Sequence, residues 1–300
     1  LRSGELEQRA REARAALREC TLCPRDCRID RLAGAKGFCR TGARAVVSSY
    51  GPHMGEEACL TGWLGSGTIF FSFCNLWCIF CQNYDISREG RGREVEEEEL
   101  AAMMLELQAA GCHNVNLVTP SHVIPQILDA MLIAARVGLE IPMVYNSGGY
   151  DSVHALRLLE GVVDVYMPDL KYADEGVAAR LSKARDYPAR SREAVKEMHR
   201  QVGDLVLDER GLARRGLLVR HLVLPGGLGG TSELMRFLAE EVSPHTFVNI
   251  MGQYYPAYHA HRHPGLDRRP TGDELREAVE GARAAGLYRI QGAQGPSGER

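Results

Sequence analysis

The stretch GTIFFSFCNLWCIFCQNY, residues 67–84, sets three thiols, Cys74, Cys78 and Cys81, directly behind a run of apolar and aromatic residues. Residues 67–73 read as a strand, because a short apolar run with almost no polarity fits one that is covered on both faces. The thiols follow on the loop that leaves it, spaced C-x3-C-x2-C. Three is an odd number, so intrachain disulfides cannot consume them. It is also one short of a closed tetrahedral zinc site. On a four-iron cluster, three protein thiolates leave one iron open to a small molecule. An open coordination position is what a catalytic metal site keeps.

Working outward, residues 114–119, 141–146, 162–167, 217–224 and 245–251 repeat the strand pattern. Between them lie helical patterns at 95–111, 123–138, 151–161, twice within 173–203, and at 231–242, with another at 271–286. Each is long enough to cross back over a sheet, so the strands are expected to be parallel with right-handed crossovers. Six or more such units predict an α/β fold, a partial or full (β/α) barrel whose chemistry sits at the C-terminal ends of its strands. Glu94 and Glu96 to Glu99 are expected in the opening turns of the first crossover helix, where the dipole favours acids. Thr271 and the following GDEL match an N-terminal capping box. Residues 1–63 break the alternation and read as a helix plus a small cysteine-bearing extension, 64–290 as the barrel, and 291–300 as a flexible Gly-rich tail.

Composition narrows the function classes. Lys plus Arg number 36 against 39 Asp plus Glu, so no strong field recommends a nucleic acid as partner. The basic residues between Arg185 and Arg200 alternate with acids, as on a solvated helix face. No apolar run approaches the roughly 20 residues of a membrane span, and the charged opening helix does not resemble a signal peptide. The expected compartment is the reducing cytoplasm, where nine cysteines point to metals rather than disulfides. Cys59 and Cys112 stand alone and read as small buried hydrophobes.

At the C-x3-C-x2-C loop the sequence resembles the radical S-adenosylmethionine superfamily, with Phe80 as the aromatic residue before the last cysteine. The likeness is closest to proteins related to pyruvate formate-lyase activating enzyme, through the pattern GSGTIFFSxCNLxCxFCQNYxIS from Gly65 to Ser87, YMPDLKY (166–172) and VRHLVLPGG (219–227). The resemblance implies that Cys74, Cys78 and Cys81 hold a [4Fe–4S] cluster whose fourth iron is chelated by S-adenosyl-L-methionine. Reductive cleavage to a 5′-deoxyadenosyl radical and hydrogen abstraction from a substrate would follow. It further implies a reductant such as flavodoxin or ferredoxin, and a glycyl-radical protein, a peptide or a small molecule as substrate. Carried over by position, the cofactor-binding residues are Phe80, Asn146, Ser147, Met167, Asp169 and Lys171, with Gln253 and Tyr254 near the adenosine. The family's Gly-Gly-Glu turn is replaced here by Thr119-Pro-Ser-His122. Amino-group recognition is then expected from Thr119 or Ser121, with His122 facing the substrate.

Three further features remain. Cys20, Cys23, Cys27 and Cys39, spaced C-x2-C-x3-C-x11-C, suit tetrahedral zinc or a second, closed iron–sulfur cluster. The knuckle-like turn around Pro24 leads to zinc as the first expectation. The glycine-rich LPGGLGG (224–230) has no matching acidic strand end for a dinucleotide site and is expected to let backbone approach the cofactor. His259, His261 and His263 are expected to face solvent or substrate rather than a metal. An enzyme is favoured over a non-catalytic iron–sulfur or zinc scaffold or electron carrier, which needs no barrel mouth.

Overall fold

The computed structural model describes residues 4–292. Ten strands are present among them: β1 Ala45–His53, β2 Ser66–Phe71, β3 Arg93–Val95, β4 Val115–Val118, β5 Met143–Ser147, β6 Val165–Pro168, β7 Val206–Leu207, β8 Ala213–Leu222, β9 Phe247–Met251 and β10 Ile290–Gly292. The sheet order is β10-β9-β8-β6-β5-β4-β2-β1-β3, with β7 paired to β8 off this path. From β2 to β10 along this path every neighbour is parallel. The sheet does not close, so the architecture is a partial barrel. The expected α/β fold is the one observed, and the parallel strands are buried on both faces as their continuous apolar runs require.

Residues ahead of position 64 contribute more to this sheet than a separate extension would. β1 pairs antiparallel with β2 over Val47 to His53 and with β3 over Ala45 to Val47. Its buried half begins at Ala45, while its far half is exposed, and that half-polar pattern hid the strand from sequence periodicity. The opening helix Glu5–Ala15 packs Ala10 and Ala13 into the same core cluster as Ile124, Leu128 and Leu156. Glu94 lies in the short strand β3, whereas Glu96 caps the helix Glu97–Ala109 and Glu97 to Glu99 occupy its first turn. Thr271 forms the full capping box with Glu274. Of the tail, Gln291 and Gly292 pair with β9, and 293–300 lie outside the described residues.

Cys59 and Cys112 are buried among apolar side chains. Arg185 and Arg190 pair with Glu175, Asp186 and Glu193 on the surface, and Arg200 pairs with the buried Glu197. No described helix is long and apolar enough to cross a membrane.

One turn couples this scaffold to the strand ends. Gly149, at φ 76°, lies so close to the Asp169 carbonyl that a Cβ would fall on that oxygen. Gly138, at φ 110°, has nothing nearby. Gly138→Ala should therefore cost only its backbone strain, about 1–2 kcal/mol. Gly149→Ala should cost about 3 kcal/mol or more, because packed backbone must move as well. Equal melting shifts for the two variants would show that the 149–169 contact is not tight.

Candidate functional site

The loop after β2 begins with strain. Phe73 has φ 68°, and Thr119, at the matching end of β4, has φ 62°. Non-glycine residues held in this region cost of order 1–3 kcal/mol each and cluster at functional sites. Beyond Phe73 the chain turns inward, and Cys74, Cys78 and Cys81 line one cavity of about 280 Å3 at the C-terminal strand ends. Each sulfur accepts or shares a hydrogen bond: the Leu76 N–H donates to Cys74 (3.3 Å), Ser182 Oγ donates to Cys78 (3.0 Å), and Ser87 Oγ pairs with Cys81 (3.1 Å). Tyr172 Oη pairs with Ser182 Oγ at 2.6 Å and so fixes the direction in which that serine points. Burial pushes the Cys74 thiol up to about 12 and raises that of Cys81. Burial thus disfavours the thiolate form of Cys74 and Cys81, a preference that a bound metal would reverse.

Arg88 completes the loop. It is 8% exposed and donates to the carbonyls of Leu76 and Cys74, with Trp77 beside it. Burial lowers its pKa, and the neighbouring Cys74 opposes that. Its contacts are carbonyls and a ring rather than a carboxylate, so the charge available to balance it is the one the sulfurs acquire on deprotonation. The sequence gives no periodic signal for such an arginine.

The strand ends floor the same cavity. Thr119, Asn146, Ser147, Asp169, Lys171 and Gln253 line it together with Phe80. Arg220 of β8, which carries no signal of its own within VRHLVLPGG, is the hub. Its guanidinium donates to Asp169 (2.9 Å) and to the Asn146 side-chain oxygen (2.7 Å), and Glu56 lies 3.5 Å away. Lys171 Nζ stands 2.6 Å from the other Asp169 oxygen. Burial pulls the Asp169 pKa upward, but the Arg220 and Lys171 charges outweigh it and the net shift is down. Burial pulls Lys171 down, and Asp169 reverses that to a net rise. Tyr187 Oη donates to the Asp169 carbonyl (2.7 Å) and accepts the Lys171 N–H (3.0 Å), pinning the turn between them. Arg220 and Lys171 stand against Asp169 and Glu56, so the cavity floor is a charge-balanced cluster whose two cationic side chains offer donors to a carboxylate.

Other expected residues fall outside the cavity. Met167 packs in the bore with Val144, Val165 and Leu218. Ser121 is buried against Asp151. Tyr254 is fully buried, donates to the Leu266 carbonyl and meets Phe80 edge-on at 5.8 Å; it supports Phe80 from behind. His122 does not face this cavity. It is 1% exposed, its Nε2 donates to the Ser72 carbonyl (2.9 Å), and it lines the cavity of the N-terminal cysteines. The glycine-rich turn is displaced too: Leu224, Gly227 and Gly230 line a separate, open cleft of about 610 Å3. That cleft is larger, but it has no thiol among its lining residues. His261 is exposed, and His259 and His263 are partly so. Their loop lies over the cysteine loop through the His259 N–H to Ile79 carbonyl bond and the stacking of Tyr258 on Tyr84.

The fit of a cluster to the three thiols follows from number and spread. Among the described residues no three metal-binding side chains are gathered tightly enough to hold a single ion. A four-iron cluster does not need them gathered, since each thiolate takes a different iron. Three soft sulfurs around a roomy cavity, with Lys171 and Arg220 at its floor, suit such a cluster plus a small molecule that bears a carboxylate. Asp169→Ala, Lys171→Ala and Arg220→Met should each weaken S-adenosylmethionine binding by roughly ten- to a hundredfold, the equivalent of one charge-assisted contact, with iron content unchanged. Unaltered affinity in all three would reduce the trio to structural ion pairing.

Comparison with known proteins agrees with this geometry. The Radical SAM superfamily model matches residues 68–210. An uncharacterized protein of Methanocaldococcus jannaschii is 32% identical over 282 residues, covering 92% of this chain and 77% of its own. A radical SAM methyltransferase from Sphaerobacter thermophilus has a TM-score of 0.50 and 18% identity over 75% of this chain and 67% of that one, a likeness of fold. Streptococcus suis SuiB, solved with the precursor peptide SuiA, has a TM-score of 0.48 and 14% identity over 69% of this chain and 42% of its own, too remote to bear on activity. With the family model running from the strand that carries the thiols through β6 and the Asp169 and Lys171 that follow it, the chain belongs to the radical SAM superfamily.

Proposed function

We propose that the protein reductively cleaves S-adenosylmethionine and uses the resulting radical to abstract hydrogen from a peptide or protein, with activation of a glycyl-radical protein as the first candidate. The observation that carries this reading is the convergence of three thiols with Asp169, Lys171 and Arg220 on one cavity at the strand ends. When bound, a [4Fe–4S] cluster would supply one electron to the sulfonium, giving methionine and a 5′-deoxyadenosyl radical; that chemistry is the cofactor's. The chain's own residues bind and orient. Cys74, Cys78 and Cys81 would hold three irons and leave the fourth open. Lys171 and Arg220 would receive the methionyl carboxylate, Asn146, Ser147 and Thr119 would offer polar atoms to its amino group, and Phe80 and Gln253 would face the adenosine.

The branch related to pyruvate formate-lyase activating enzyme is supported by the Gly65–Ser87 pattern and the DLK strand end. A reduced flavodoxin or ferredoxin in a reducing cytoplasm would supply the electron. The N-terminal unit, residues 1–63, would carry a second metal, zinc or iron–sulfur, on Cys20, Cys23, Cys27 and Cys39.

Anaerobic incubation with S-adenosylmethionine and dithionite should release 5′-deoxyadenosine and methionine in equal amounts, and the Cys78→Ala protein should release neither. Full cleavage by that variant, or none by the native protein with its cluster intact, would favour the scaffold or electron-carrier reading. For the substrate, a candidate glycyl-radical protein mixed with the reduced enzyme should gain a protein radical signal. Deuterium placed on the target carbon should then appear in the released 5′-deoxyadenosine.

A further inference from the structure

We infer that Cys20, Cys23, Cys27 and Cys39 hold a second, closed [4Fe–4S] cluster whose negative charge is balanced by the buried guanidinium of Arg31. The inference rests on the proposal that these thiols bind a metal, and it names which one.

The local fold brings the four sulfurs together. The Cys20 N–H donates to the Ile29 carbonyl and the Arg28 N–H to the Cys20 carbonyl, both at 3.0 Å. Asp26 and Arg28 take left-handed backbone at φ 43° and 49°, so the chain doubles back and returns Cys27 to Cys20. Gly37 then lets the second arm approach, because a Cβ there would sit 2.9 Å from Cys27 Sγ. All four cysteines line one cavity with Arg31 and His122.

Charge shows that the cavity holds an anion. Arg31 is 1% exposed. Its nitrogens contact the Gly42 carbonyl (3.0 and 2.8 Å), the His122 carbonyl (2.8 Å) and Cys20 Sγ (3.8 Å). None of these is a carboxylate, and a buried charge without a counter-charge costs several kcal/mol. Four neutral thiols do not offset that cost; four thiolates on a metal do. His122 Nδ1, buried on the same wall, also has no partner within the protein.

Size then separates the two metals. Tetrahedral zinc draws its sulfurs to about 2.3 Å from a common point, where the centre of a water molecule cannot fit. Here the cavity leaves about 10 Å3 open to a water's centre, and no three of its sulfurs are gathered at ion-binding distance. Thiols that are not gathered about a single point are what a cubane needs, since it gives each sulfur its own iron. The knuckle-like spacing pointed to zinc; the spread of the sulfurs points to iron.

The test removes the other site. In the full chain carrying Cys74→Ala, Cys78→Ala and Cys81→Ala together, anaerobic reconstitution should leave about four irons and four sulfides per chain. Dithionite should then develop the EPR signal of a reduced cluster. About one zinc without iron, or no metal at all, would overturn the inference. To guard against misfolding of that variant, Cys20→Ser with Cys23→Ser in the otherwise native protein should lose about four of roughly eight irons while still binding S-adenosylmethionine. Retention of every iron would equally overturn it. Arg31→Met should lower iron retention at this site, with Arg31→Lys intermediate; equal retention in both would remove Arg31 from the account. These counts do not depend on S-adenosylmethionine cleavage, so failure here and failure of the proposed activity are separate results.

Discussion

Two buried guanidinium groups face sulfur instead of carboxylate, and much of the molecule is arranged around that fact. Arg88 stands behind Cys74, Cys78 and Cys81, and Arg31 beside Cys20. A buried ion stripped of water and left unpaired is among the most expensive features a fold can carry. Neutral thiols leave each arginine in that state, whereas metal-bound thiolates would resolve it. Metal loading would then stabilise the native packing as well as supply chemistry, linking ligand binding to folding.

The two cysteine groups are also mechanically joined. Arg25, from the N-terminal turn, lies over the Phe38 ring and donates to the backbone carbonyl of Asn75, between Cys74 and Leu76. Arg31 holds the His122 carbonyl while the His122 ring holds the Ser72 carbonyl at the root of the radical loop. The Thr119–His122 turn, which departs from the family's usual pattern, thus serves as a brace between the N-terminal unit and β2. On the opposite wall, Arg220, Asp169 and Lys171 form a charged floor that Tyr187 keeps in register.

Much of this was legible in the sequence because it depends on local pattern. The parallel strands announce themselves as apolar runs separated by helical periods, and the loop thiols by their spacing. Asp169, Lys171, Asn146 and Ser147 were reachable as strand-end residues, since a barrel puts its chemistry there. What escaped depends on contacts between distant segments. Arg220 looks like any charged residue in a strand until Asp169 and Asn146 are placed beside it. Arg31 and Arg88 carry no signal for burial, because sequence periodicity treats an arginine as surface. Met167 and Tyr254 sit next to cavity residues in the chain, yet β6 alternation drops Met167 into the bore and Tyr254 turns to Leu266. β1 escaped because half of its length is exposed.

An iron left open by the three thiols for S-adenosylmethionine would be visible in the EPR spectrum of the anaerobically reduced protein, recorded before and after addition of S-adenosylmethionine. Coordination at the open iron should change the g values of one cluster signal, and that signal should be missing from the Cys78→Ala protein. A spectrum that S-adenosylmethionine leaves unchanged, in protein with full iron content, would contradict the account.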